Sequence, residues 1–273
     1  MNRIIALLIL SFFTTNTFAQ DIHQRNVPAV VLNAFQIKFP NATDVDWRLE
    51  KGNYRIRFEV NNKDHNLYLD DRGNVLKHHQ DLYGSEVPEK VLKAIKSKVA
   101  LFDLNDADRI AEGNKIVYEI NFEISNKDHD FWISERGKIL KYRKELKDSE
   151  VPSEILTSIK NKYGELDIDR AEYNEENGKI IYYLKGKISG YRHEFTFEGI
   201  SNLQLHKQDL RRNSEIPAPI LNALKANYKD YEIRDADLRE ENGKSTYIMR
   251  LRKSRENIYV IYNPQGKVLQ IKK

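Results

Sequence analysis

Ser85-Glu86-Val87-Pro88 is the stretch that decides the fold, because the chain repeats it. It returns as Ser149-Glu150-Val151-Pro152 and Ser214-Glu215-Ile216-Pro217, and a looser version, Asn26-Val27-Pro28, precedes all three. The Val or Ile before each proline stands at positions 27, 87, 151 and 216, so the spacing is nearly constant. A nearly fixed period of this size indicates tandem structural units. The chain of 273 residues is therefore predicted to contain four copies of one small unit.

A short helix is predicted after each of these anchors. Proline is tolerated in the first turn of a helix, where its missing N–H has no partner within the helix. In the second copy, Val91, Ile95 and Val99 then follow at helical spacing and form one narrow apolar stripe. The predicted helices cover residues 30–39, 91–99, 155–163 and 220–228.

Strands are predicted to follow each helix. Tyr118, Ile120 and Phe122 alternate with polar residues, which is the period-two pattern of a strand with one buried and one solvated face. The leading tyrosine recurs at positions 54, 118, 182 and 247. Polar loops that end in glycine, such as Asp70-Asp71-Arg72-Gly73, predict hairpins between further apolar segments. The predicted fold class is α+β, with tandem repeats of one helix packed on a four-stranded antiparallel sheet.

The repeats define the predicted domains. A leader occupies residues 1–19, and the four repeats occupy residues 20–84, 85–148, 149–213 and 214–273. We expect the repeats to pair as 20–148 and 149–273. The third repeat is the most degenerate, because Gly186 stands where the other repeats have a core side chain.

The N-terminal segment has the composition of a secretory signal peptide. Arg3 precedes an apolar run over residues 4–13, which is too short to span a bilayer, and Ala19 provides a small residue for cleavage. We expect a periplasmic or secreted protein without stable membrane insertion. The chain has no cysteine, which excludes disulfides and thiol catalysis. Its net charge of +4 is too small to suggest a nucleic-acid partner.

The motifs resemble those of a known family. The Val-Pro anchor and helix, Phe39-Pro40-Asn41-Ala42, Val45-Asp46-Trp47 and the segment from Leu67 to Leu76 resemble the PepSY-like, beta-lactamase-inhibitor-like domains exported by Bacteroidetes. The resemblance spans the mature chain and is clearest in the first copy, good in the second and fourth, and weak in the third. It implies helices that back a curved sheet, whose open face binds a partner. It does not imply that the partner is a beta-lactamase, because one fold serves many functions.

Catalytic and metal-binding patterns are weak. No nucleophile elbow, phosphate-binding loop or His-Glu-x-x-His motif occurs, so we predict no enzyme and no cofactor. Asn-Lys-Asp-His at 62–65 and 126–129 is the best metal candidate, but zinc needs three or four converging ligands. We therefore predict exposed hairpin ends and no metal site there.

His78 and His79 are neighbours on one strand, so they are expected to point to opposite faces and not to act as a pair.

Four solvent-facing residues are the candidate binding residues. Tyr68 and Trp132 stand at equivalent positions of the first and second copies and are expected to form an aromatic anchor patch. The alternative is ordinary packing against neighbouring strands or repeats. Arg250 and Arg252 are expected to form a basic ridge, or alternatively a charged strand edge that prevents strand addition.

The predicted function is that of an exported, non-enzymatic protein-binding or inhibitor-like module, which acts through open sheet faces on a periplasmic or cell-surface protein. Flat, polar-rimmed sheet surfaces suit protein partners better than they suit small molecules, since small molecules need concave apolar pockets. The alternatives are a periplasmic protein that binds or senses a small ligand or peptide, and a structural spacer.

Overall fold

The repeated Ser-Glu-Val-Pro anchor forms a tight turn that starts a helix. In a computed structural model, which describes residues 20–210 and 215–272, the Glu86 carboxylate accepts the Tyr83 backbone N–H at 2.8 Å and the Lys63 ammonium at 2.6 Å. Glu150 accepts the Lys147 N–H in the same way at 2.9 Å. Val87, Val151 and Ile216 are buried, and the proline after each directly precedes the helix. The anchor therefore combines a capped turn with a fixed core contact.

The helices and strands follow the predicted order. The helices are α1 Ala29–Lys38, α2 Glu89–Lys96, α3 Ser153–Tyr163 and α4 Ala218–Asn227. The first nine strands are β1 Gln20–Asp21, β2 Thr43–Glu50, β3 Asn53–Val60, β4 Lys63–Leu69, β5 Val75–Asp81, β6 Asp106–Glu112, β7 Lys115–Glu123, β8 Asp128–Ser134 and β9 Ile139–Leu146. The others are β10 Asp167–Glu176, β11 Lys179–Ile188, β12 Tyr191–Glu198, β13 Asn202–Asp209, β14 Glu232–Glu241, β15 Lys244–Lys253, β16 Glu256–Tyr262 and β17 Val268–Lys272. The α+β class is confirmed.

The described residues form two compact units. Residues up to Pro88 together with Asp106–Glu119 form the first, and Glu89–Asn105 together with the residues from Ile120 onward form the second. In the first unit, strands β1 to β6 pair with their neighbours in antiparallel order. In the second, strands β8 to β17 do the same. The predicted repeat boundaries and their pairing as 20–148 and 149–273 stay predictions.

Pairing continues across repeat boundaries within each unit. The last strand of one repeat pairs with the first strand of the next at β5–β6, β9–β10 and β13–β14. We call these three pairs junctions one, two and three. Each junction places residues from two repeats side by side, so it can carry contacts that neither repeat makes alone.

Each described core lies between one helix and the strands that follow it. In the third repeat, Ile155 and Ile159 of α3 pack with Leu184, Phe195 and Phe197 of the sheet. The side chains of even-numbered residues in β11 and of odd-numbered residues in β12 thus face the helix, because successive side chains of a strand point to opposite faces. The opposite side of the strands has no helix, and we call it the open face.

Two glycines show how closely the elements approach. Gly266, at the end of a hairpin loop, has φ +78°, and a Cβ there would lie 2.5 Å from the Pro219 carbonyl oxygen of α4. Gly186 lies opposite Ile168, and a Cβ there would collide with the Asp167 carbonyl oxygen. Backbone therefore occupies the space that a side chain fills in other repeats, which is why the third repeat tolerates the missing core residue.

The predicted leader, residues 1–19, lies outside the described residues. In the part of the chain that the structure describes, no helix is both long and apolar enough to cross a membrane.

Candidate functional site

Tyr68 lies on the open face of the first unit. It stands in β4 between the buried Leu67 and Leu69, and its own side chain is half-buried. The Arg55 guanidinium carbon lies 5.8 Å from the centre of the Tyr68 ring, within the range of a cation–π contact. The ring is therefore partly covered by a charged side chain.

Trp132 has the equivalent position in the second unit. It stands in β8 between the buried Phe131 and Ile133, and the Lys141 ammonium of the neighbouring strand lies 4.5 Å from the centre of its ring. Because Tyr68 and Trp132 belong to different units, their joint patch stays a prediction. What the structure adds is that each aromatic has a cationic neighbour on the next strand, which the sequence prediction missed.

Arg250 and Arg252 are exposed on the open face of β15. The Arg250 guanidinium carbon lies 5.9 Å from the centre of the Tyr259 ring, and Arg252 Nε donates to the Ser254 carbonyl at 3.0 Å. Tyr259 is 40% exposed and was not predicted as a binding residue. The signal for it was present, because Tyr259 alternates with the buried Ile258 and Val260.

A groove on the open face of the third repeat was also missed. It is an open cavity of about 330 Å³, with Tyr183, Thr196 and Leu205 among its less polar lining residues. Tyr183 is 45% exposed. Charged residues complete the lining: Arg170, Glu172, Lys185, Glu194 and Lys207. The mixture of an exposed aromatic and a charged rim is typical of a protein-binding surface.

The open face of the first repeat carries an acidic cavity of about 360 Å³. Five carboxylates line it: Asp44, Asp46, Glu59, Asp64 and Asp81. Arg57, His65 and His79 are among the other lining residues. Burial raises the pKa of Asp81 to about 6, and a hydrogen bond with Asp108 contributes to the same shift. The cavity therefore favours cations over anions.

The prediction that the histidines at 65 and 129 are exposed is wrong. His65 is 7% exposed and His129 is 8% exposed, and His193 of the third repeat is 4% exposed. His65 Nδ1 lies 2.9 Å from His78 Nε2, and His129 Nδ1 lies 2.9 Å from the Tyr142 hydroxyl. A partner on the next strand makes burial possible, because buried polar groups need hydrogen bonds. The signal was that these histidines recur at the same inward position of the strand in successive repeats.

The buried pair of the third repeat extends into the fourth. His193 Nδ1 lies 2.9 Å from His206 Nε2, and His206 Nδ1 lies 2.7 Å from the Glu240 carboxylate. Since a carboxylate can only accept, His206 Nδ1 carries the proton, and His193 Nδ1 donates to His206 Nε2. The Tyr163 hydroxyl also donates to Glu240, at 2.8 Å. This network ties α3, β12 and β13 to the first strand of the next repeat.

Burial controls the protonation of this network. It lowers the pKa of His206, although Glu240 opposes the shift, and it lowers the pKa of His193 to about 4. Burial alone would raise the pKa of Glu240, but hydrogen bonds from His206 and Tyr163 bring it below the usual value. The two histidines are thus neutral at pH 7. They have almost no exposed surface from which to reach a substrate, so their chemistry is that of core hydrogen bonding.

The prediction for His78 and His79 is confirmed. His78 is buried on the helix side of β5, whereas the side chain of His79 is 35% exposed and lies beside Asp108, with Nε2 2.9 Å from its carboxylate. The two rings therefore belong to different environments.

Comparison with known proteins supports the resemblance read from the motifs. The sequence model of a protein family matches residues 14–77, 75–141 and 141–204. That family is described as beta-lactamase-inhibitor-like and PepSY-like. It thus matches the third copy, which the motifs had marked as the weakest. None of the curated proteins compared with the chain matches it.

Solved structures give weak similarities. A BLIP-like protein from Bacteroides fragilis is 20% identical with a TM-score of 0.37, over 46% of this chain and 93% of that one. A DUF2874 family protein from Bacteroides uniformis is 19% identical with a TM-score of 0.37, over 43% and 88%. A protein from Bacteroides eggerthii, provisionally described as periplasmic, is 17% identical with a TM-score of 0.38, over 43% and 88%. Similarity at this level says nothing about function.

The three matched segments, which span well over half of the sequence, show that the chain belongs to the PepSY-like, beta-lactamase-inhibitor-like family.

Proposed function

We propose that this protein is an exported, non-enzymatic binding or inhibitor-like module that acts in the periplasm or at the cell surface through its open sheet faces. The observation that carries the proposal is the set of aromatic side chains on the helix-free side of the strands. Tyr68, Trp132 and Tyr259 each lie beside a cationic side chain there. Aromatic residues and arginine are enriched among residues that dominate binding energy at protein interfaces.

A protein partner fits these surfaces better than a small ligand. The cavity of the first repeat is open and lined by five carboxylates, whereas small-molecule pockets are enclosed and mostly apolar. The groove of the third repeat has a more apolar lining, but it too is open to solvent. Each repeat of one helix and four strands is proposed to present its own open face to the partner.

Trp132→Ala is expected to weaken partner binding about thirtyfold, which corresponds to about 2 kcal/mol for a buried interface aromatic. The thermal midpoint should change little, because Trp132 packs on the outer side of β8 and not among the buried residues. Binding is measured by surface plasmon resonance against the identified partner. Leu101→Ala is the matched control, since Leu101 is 87% exposed in the same unit and lies outside every strand. Equal affinity of the two variants would remove Trp132 from the proposed surface, and loss of folding would assign it to the core.

Replacing both Arg250 and Arg252 with serine is expected to slow association and to reduce its salt dependence. Both side chains are exposed, and exposed charges act mainly on the rate of encounter. Association rates at low and high salt test this expectation. Replacing Lys253, which already pairs with Asp230 at 3.1 Å, should have a smaller effect. An unchanged on-rate at low salt would exclude the basic ridge from the interface.

The partner itself is sought by cross-linking the immobilised mature chain in envelope extract, followed by mass spectrometry. A protein that is captured by the wild type and by Leu101→Ala, but lost with Trp132→Ala, supports the proposal. A metabolite or peptide that raises the thermal midpoint, without such a protein, would favour the alternative of ligand binding.

A further inference from the structure

Carboxylates face each other at all three junctions between repeats. Residues directly opposite across the strands are Asp81 and Asp108 at junction one, Glu145 and Glu172 at junction two, and Asp209 and Asp237 at junction three. Like charges at directly opposite positions destabilise a sheet. Each junction therefore needs a positive charge or a proton between its two acids.

Junction two contains such a charge. Arg170 Nη2 lies 2.9 Å from Glu145, and Arg170 Nε lies 2.6 Å from Glu172. One guanidinium thus bridges the two carboxylates. The equivalent position of the preceding repeat, beside the carboxylates of junction one, is Asp106. At this position junction one therefore has a third carboxylate, whereas junction two has a guanidinium.

Junction one also differs at a second position. His79 stands where the later repeats have Arg143 and Lys207. Among the ion pairs of the described residues, none joins Asp81 or Asp108 to a lysine or an arginine. Among the described residues, the basic side chain that pairs with Asp108 is His79, whose Nε2 lies 2.9 Å from the carboxylate.

The three side chains of junction one converge. One possible ligand atom from each of His79, Asp81 and Asp108 lies within 4.8 Å of the other two. His79 Nε2 is buried and lacks a hydrogen bond of proper geometry, although Asp108 is near. One imidazole nitrogen and two carboxylate oxygens form a ligand set that zinc and similar divalent ions accept, and the imidazole loses its proton when the metal binds.

We propose that His79, Asp81 and Asp108 bind a divalent transition-metal ion, which takes at junction one the place that the Arg170 guanidinium has at junction two. Zinc ligands lie about 2.0–2.2 Å from the ion, so the three atoms need only small side-chain movements to close around it. His79 and Asp81 also line the acidic cavity, which supplies a route for the ion and water for its remaining coordination positions. This site differs from the metal candidate considered in the sequence, because His65 and His129 are buried with other partners. It does not depend on the proposed binding function.

The probe is zinc chloride, titrated calorimetrically into the folded, untagged mature chain at pH 7. The expected result is one bound ion per chain, a rise of the thermal midpoint with zinc and reversal by EDTA, because a ligand that binds only the folded state stabilises it. His79→Gln should weaken zinc binding by more than about tenfold, since even the loss of an outer-shell partner costs that much. His23→Gln is the matched control, since His23 is exposed in the same unit and should leave zinc binding unchanged.

Asp106→Arg gives a second, independent test, because it copies the arrangement of Arg170 into junction one. The variant should fold, with a metal-free thermal midpoint equal to or above that of the wild type, and should no longer respond to zinc. A wild type that binds no zinc would overturn the proposal. The same holds if His79→Gln and His23→Gln bind zinc equally, or if Asp106→Arg binds it as well as the wild type does.

Discussion

Phe122→Ala is expected to lower the free energy of unfolding by about 3–5 kcal/mol, the usual range for a buried phenylalanine. Phe122 is 2% exposed. Its ring centre lies 4.9 Å from that of Phe102, 5.3 Å from that of His129 and 5.7 Å from that of Phe131. Removing it leaves a cavity among stacked rings that cannot collapse without moving the strand, so both transfer energy and packing are lost.

Urea denaturation at pH 7 measures this change. Glu123→Ala is the control, because Glu123 is the next residue of β7, is exposed and makes no part of the core; surface changes of this kind usually stay within about 0.5 kcal/mol. Phe122→Leu should fall between the two. Equal small losses for Phe122→Ala and Glu123→Ala would mean that the register of β7 is wrong.

Acid is expected to destabilise the protein through His193. Its pKa is about 6.5 when unfolded and about 4 when folded, because burial disfavours the charged ring. Between these values the unfolded state binds more protons than the folded state, so the free energy of unfolding decreases as the pH falls from about 6.5 to about 4. The full shift corresponds to at most about 3 kcal/mol. Above pH 6.5 this contribution is fully present.

The double replacement His193→Ile and His206→Ile isolates this effect. The fourth repeat has the buried Ile258 at the position of His193 and the half-exposed Ile271 at the position of His206, so isoleucine already occurs at both strand positions. Glu240 keeps its contacts with Tyr163 and Lys162 in the variant. Urea denaturation from pH 7 to pH 4.5 should show a shallower loss of stability for the variant than for the wild type. Parallel curves would mean that the buried pair does not titrate on folding.

Local patterns were sufficient for much of the fold. The Val-Pro anchors, the helix spacing of Val91 and Ile95 and the alternation of Tyr118, Ile120 and Phe122 predicted elements that the structure contains. Their inward residues were also predicted correctly, since Ile95, Ile120 and Phe122 are buried. Helical and strand periods act between residues a few positions apart, so they can be read from the sequence alone.

Partners across strands could not be predicted in the same way. Whether His193 is exposed depends on His206 of the next strand and on Glu240 in the next repeat. For the same reason, the histidines of the Asn-Lys-Asp-His stretches were wrongly predicted to be exposed. Their polarity suggested contact with solvent, and their partners on the neighbouring strands could not be identified from the sequence. The meeting of Asp81 with Asp108 likewise depends on β5 pairing with β6 across a repeat boundary.

The sequence by itself determined the tandem repetition, the fold class, the order of helices and strands, and the core side of the strand that begins with the recurring tyrosine. Only the tertiary structure decided that strands pair across repeat boundaries and which charges meet at the junctions. The physical reason is that periodicity sets the face on which a side chain lies, whereas strand register sets its neighbours. Hydrogen bonds and charge pairs act over a few ångströms, so their outcome depends on that register and not on the residue type alone.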